Sequence, residues 1–126
     1  MNVLLSIKPQ YVKEILEGRK KYEFRKAIYK TQNVKNIYIY SSAPEQKIVA
    51  KFTPTKVIED SPEKLWQKYK KTAGINQKDF FEYFAGKSSG YAIAIDSLQV
   101  FKEPINPSDV LDNFTPPQSF RYVGDL

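Results

Sequence analysis

The chain contains neither cysteine nor histidine. Without cysteine there is no disulfide, no thiol nucleophile and no thiolate zinc site. Without histidine there is no Ser-His or Cys-His dyad, no imidazole acid or base, and no His-ligated zinc. Any chemistry then falls to carboxylate, lysine, tyrosine or hydroxyl groups. Long hydrophobic runs are missing as well. None approaches the ~18 residues needed to cross a bilayer, and no secretory h-region follows Met1. These absences fit a cytoplasmic protein with no membrane partner and no cofactor, and the scattered acids form no convincing metal-ligand set. No repeat, low-complexity tract or long linker divides the chain, so residues 1–126 read as one domain.

What is there is a surplus of cations. Twenty Lys and Arg against 14 Asp and Glu give a net charge of +6, which biases the partner towards polyanions. A hydrophobic share of 41% is ordinary for a globular protein. The densest stretch, "RKKYEFRK" at residues 19–26, packs five basic residues, one carboxylate and two aromatics into eight positions.

Periodicity places that stretch. Residues 3–7 read as a short buried strand, and Pro9 suits the first turn of a helix, where its missing N–H costs nothing. Val12, Ile15 and Leu16 recur at helical spacing, and Gly18 is placed to end the helix in a left-handed cap. A strand follows, with Tyr22 and Phe24 on one face and Lys21, Glu23 and Arg25 on the other. Residues 36–40 form the next strand, and 47–59 one long strand interrupted or bulged at Pro54. Ser61-Pro62-Glu63 starts a second helix and Asn76 a third, stopped at Gly86. Residues 90–101 are the most strand-like run. Pro104 and Pro107 then demand a loop, and 119–123 form a final strand. The order β-α-β-β-β-α-α-β-β predicts an α+β fold: a small, partly closed barrel with helices packed outside it.

On the residues "SIKPQYVKEILEGRKKYEFRK" the chain resembles an ASCH domain, a branch of the PUA-like superfamily. The family pattern is a Lys-Pro-type turn after a strand, a short helix closed by Gly-x-Lys, and a strand with Glu-Phe-Arg or a relative. Here these are Lys8-Pro9, Gly18-Arg19-Lys20 and Glu23-Phe24-Arg25. The resemblance implies a PUA-like β-barrel of five to six mostly antiparallel strands with about three flanking helices. It further implies a cleft between barrel and first helix, where related domains bind RNA or modified nucleotides. One branch hydrolyses acetylated cytidine with a Gly-x-Lys lysine, a threonine three residues later and a later glutamate. Lys20 matches the lysine, Glu23 stands in place of the threonine, and the stretch from Ala73 to Gln77 contains no acid.

Each candidate has a bland alternative. Lys8, Lys20, Glu23 and Arg25 are read either as a solvated strand face or as a charged cluster turned into the cleft. In the second case Glu23 accepts from a base amine while Lys8 or Arg25 holds a phosphate or carbonyl oxygen. Tyr40, Ser41 and Ser42 are either turn chemistry or a strand end lining the cleft, with Tyr40 as a stacking face. Gln118, Ser119 and Phe120 either recognise a base or pin the carboxyl-terminal segment to the core. Lys64, Lys68, Lys70 and Lys71 extend a basic surface, while Trp66, Phe80, Phe81 and Phe84 have the spacing of core residues. Two functional readings stand side by side. One is a basic cleft that binds RNA or a modified nucleotide or nucleoside. The other is a metal-independent ribonuclease or nucleoside amidohydrolase, with Lys20 and Glu23 catalytic in the same cleft.

Overall fold

A computed structural model describes all residues, Met1–Leu126. Its strands are β1 (Asn2–Ile7), β2 (Tyr22–Arg25), β3 (Ile37–Ser41), β4 (Lys47–Asp60), β5 (Gly90–Ile105) and β6 (Phe120–Val123). The α-helices are α1 (Pro9–Leu16), α2 (Pro62–Tyr69) and α3 (Gln77–Tyr83). The local signals act as expected at the helix ends. Ser61 Oγ accepts from the Lys64 N–H and Asn76 Oδ1 from the Asp79 N–H, while Gly18 and Gly86 take positive φ just past α1 and α3.

The six strands form one sheet in the order β2-β5-β4-β3-β1-β6. Only β1 and β3 run parallel; the remaining pairs are antiparallel. The chain leaves β1 through α1, places β2 at the far end against β5, and returns to lay β3 beside β1. The sheet curls into a half-barrel. Its two end strands, β2 and β6, share no ladder, yet the Arg25 guanidinium on β2 donates to the carbonyls of Ser6 on β1 and Ser119 just before β6.

The long β4–β5 ribbon shifts register at three places. Pro54 sits at one of them, as its missing N–H requires. Pro104 differs from expectation. It does not end β5, which continues to Ile105. Ala50 pairs with Val100 and Ile48 with Ile105, so β5 carries extra residues there and the proline occupies an unpaired position.

Three apolar clusters result. The inner one joins Val3, Leu5 and Ile7 of β1 to Val12 and Ile15 of α1, with Ile37 and Ile39 of β3 and Phe52 of β4. A second packs α2 and α3 on the outer face of β2 and β5 through Leu65, Phe80, Phe84, Phe24 and Ala92. Tyr22 and Phe24 thus fill the space under these helices rather than the barrel interior. The third puts Leu4, Tyr38, Tyr40 and Val123 beneath the carboxyl-terminal segment, including Phe114 and Leu126.

Candidate functional site

α1, β2 and α3 enclose a cleft of about 670 Å³, within the size range of small-molecule sites. Strand alternation puts Tyr22 and Phe24 against the helices and sends Glu23 and Arg25 the other way. Glu23 is 6% exposed. One carboxylate oxygen, Oε2, accepts from Arg25 Nη1 at 3.1 Å; the other, Oε1, lies 3.8 Å from Lys20 Nζ. A row of two cations around one carboxylate is therefore built from four consecutive β2 residues and the turn before them.

Lys20 is the most enclosed of these groups, at 3% exposure. Its ammonium donates to the Ala73 carbonyl at 2.8 Å and lies 4.9 Å from the centroid of the Phe24 ring and 5.7 Å from that of Tyr11. Burial holds its pKa below the ordinary lysine value, and the Glu23 carboxylate opposes that shift. Arg25 is braced rather than free, since its guanidinium already serves Glu23, Ser6 and Ser119.

The remaining lining is mixed. Lys8 and Lys26 add cations, Asp79 and Glu82 of α3 add carboxylates, and Tyr11, Tyr83 and Gln118 add polar and aromatic surface. Four cations thus face three carboxylates, so the cleft is nearly balanced in charge rather than uniformly basic. The Tyr83 hydroxyl accepts from the Lys26 N–H, its ring lies 4.7 Å from Lys26 Nζ, and burial pushes its pKa up.

The structure brings Lys8, Lys20, Glu23, Arg25 and Gln118 together in this cleft. Ser119 contributes its carbonyl to Arg25, and Phe120 packs edge-on to Tyr29 and Tyr122 beside the inner cluster. Tyr40 is elsewhere: 2% exposed, it packs against Phe114 in the third cluster. That burial leaves no ring face for a base. Ser41, fully buried next to Ile7, has no partner for its Oγ, and Ser42 donates its N–H to the Ile7 carbonyl. Neither serine lines the cleft. Of the lysines expected to extend the basic surface, Lys68 on α2 pairs with Asp60 at 3.8 Å, and Lys71, in the 3-10 turn after α2, borders a separate, shallower groove beside Arg19. No three acids converge as a metal-ligand group.

Sequence reasoning missed Tyr11, Tyr83, Asp79, Glu82 and the Ala73 carbonyl. Tyr11 had a usable signal, since it precedes Val12 on a helix whose start was legible. The Ala73 carbonyl had none, being 53 residues from Lys20.

Comparison with known proteins agrees with this architecture. A family model described as Domain of unknown function (DUF365) matches residues 1–113. The chain is 26% identical over 123 residues to an ASCH domain-containing ribonuclease of Zymomonas mobilis, covering 95% of this chain and 82% of that one. The crystal structure of ASCH from Zymomonas mobilis superposes with a TM-score of 0.90 at 25% identity, covering 98% of this chain and 87% of the other. A large ribosomal subunit protein uL22 of Ureaplasma parvum is 24% identical over 125 residues, although this chain spans only 39% of its length. The chain therefore belongs to the DUF365 family, and it shares the fold of the ASCH structures.

Proposed function

We propose that the cleft is an RNA site at which a phosphodiester is cleaved by side chains alone. The observation that carries this reading is the buried Lys20, a cation held 3.8 Å from an enclosed carboxylate at the edge of an open cleft. The likeness to a relative named a ribonuclease supports it. Glu23 Oε1, facing Lys20 Nζ at 3.8 Å while Arg25 holds Oε2, is the group that takes the proton from an attacking ribose 2′-hydroxyl. The 2′-oxygen then bonds to the adjacent phosphorus, and the bond from phosphorus to the 5′-oxygen breaks. The products are a 2′,3′-cyclic phosphate and a 5′-hydroxyl, the latter taking its proton from water while Glu23 returns the abstracted proton to solvent. Lys20 stabilises the negative charge that builds on the phosphoryl oxygens in a site with little water to screen it. Lys8 and Lys26 at the rim hold flanking phosphate, and Tyr11 and Tyr83 offer faces to a base.

The test is incubation of purified protein with end-labelled single-stranded RNA and the matching DNA, in EDTA. RNA is cut to fragments ending in 2′,3′-cyclic phosphate while DNA survives, because it lacks the attacking hydroxyl. Equal cleavage of RNA and DNA would refute this chemistry.

A second reading is binding of RNA or a modified nucleotide without turnover. Its specific support is that Lys20 and Arg25 already direct donors at protein acceptors. It predicts salt-sensitive affinity and an intact substrate, whether RNA or an acylated nucleoside, after prolonged incubation.

A further inference from the structure

The segment Ala73–Ile75, between the 3-10 turn Lys70–Thr72 and α3, lies against Lys20. Gly74 has a φ of +63°. A β-carbon on it would stand 2.3 Å from Lys20 Cβ, 2.7 Å from Cγ and 2.9 Å from Cα. No residue but glycine fits there without moving the lysine. The carbonyl just before it, on Ala73, takes the Lys20 ammonium at 2.8 Å. Both ends of the contact are fixed. The Ala73 side chain is fully buried in the cluster under α2 and α3, and the Thr72 carbonyl accepts the Lys21 N–H at 2.8 Å. The lysine stem is thus pressed against a backbone and its head tied to the same backbone.

We propose that Ala73 and Gly74 are positioning residues for Lys20, Gly74 by leaving room for its stem and Ala73 by directing its ammonium. This rests on the proposal that Lys20 acts on a ligand in the cleft. The segment touches Lys20 from the second cluster's side, so the packing of α2 and α3 sets where the ammonium points. A displaced ammonium loses its alignment with the phosphoryl oxygens, and small displacements of a catalytic group are expensive in rate.

Gly74→Ala tests this against Gly86→Ala. Gly86 has a comparable φ of +79° but nothing within 4 Å of an added β-carbon, so it carries the backbone strain without the collision. Two readouts are taken on each variant. The first is the titration of Lys20 followed by its ¹³Cε shift. In Gly74→Ala the midpoint moves up by about half a pH unit or more as the displaced ammonium regains water, and in Gly86→Ala it stays. The second is RNA turnover. Gly74→Ala lowers it by about tenfold or more with affinity within about twofold, and adds nothing once Lys20→Ala is present, because the two changes act through one group. Should Gly74→Ala fail to fold, Ala73→Gly loosens the same peptide without adding an atom and gives the same directions with smaller size. An unmoved Lys20 titration in the folded variant, or losses that multiply with Lys20→Ala, overturns the proposal. If wild-type protein neither binds nor cuts RNA, the functional reading falls, and the titration alone still decides the positioning.

Discussion

Arg19 and Lys20 are neighbours in the chain with opposite surroundings. Arg19 stands at the end of α1, half exposed, with its guanidinium hydrogen-bonded to Glu14 and Glu17. Those bonds raise its pKa above the ordinary arginine value. Lys20 turns the other way, under α3, and burial lowers its pKa. One peptide step separates a solvated ion pair from an enclosed one. Exposed pairs are screened by water and salt, so they contribute little. Enclosed pairs forfeit hydration, and breaking one leaves a charge without compensation. A protein seldom keeps the second kind for stability alone, and here the enclosed pair is the one facing the cleft.

The contrast can be broken first through its acids. Glu23→Ala removes the counter-charge of Lys20 and a partner of Arg25, and should cost about 3 kcal/mol or more by urea unfolding, the penalty for orphaning a buried ion. Glu14→Ala, made on the solvated pair, should leave the unfolding midpoint essentially unchanged. Equal losses from the two would dissolve the distinction.

Activity sharpens it next. Lys20→Ala should reduce RNA turnover by about 100-fold or more, the usual size for losing a group that stabilises transition-state charge. Arg19→Ala should stay within about twofold under the same salt. A similar drop from both would mean that bulk positive charge, not the enclosed ammonium, governs the reaction.

The smallest effect is in pH. Lys20 has a folded-state pKa depressed below the ordinary value of 10.5, so between the two values the unfolded chain binds more protons. Stability must then rise with pH across that window, relative to a variant lacking the amine. Measured against Lys20→Met between pH 9 and 10, the wild-type protein should gain at most about 1.4 kcal/mol. Arg19→Met should run parallel to wild type throughout, since an arginine does not titrate there.

Much of this geometry was visible in eight letters of sequence, because strand alternation alone separates Tyr22 and Phe24 from Glu23 and Arg25. The Lys8-Pro9 turn and the Gly18 cap were legible for the same local reason, as each is a demand of backbone chemistry on one residue. The misplaced end of β5 at Pro104 shows where local rules stop. A proline excludes a ladder bond, and whether a bond is needed depends on the register of β4 across the sheet. Tyr40 failed similarly, since its burial is decided by Phe114, 74 residues later and without regular structure around it. The partner of Lys20 was beyond reach because a carbonyl has no signature in a sequence: every residue has one.

Arg25 has a consequence outside the cleft. An open sheet ordinarily ends in two rows of unpaired amides and carbonyls that invite strands from other molecules. Here both end strands are four residues long, and one guanidinium draws them towards each other across the mouth of the half-barrel. The same side chain that lines the cleft thus also ties β2 to β1 and to the residue before β6, so one guanidinium serves both the site and the closure of the sheet.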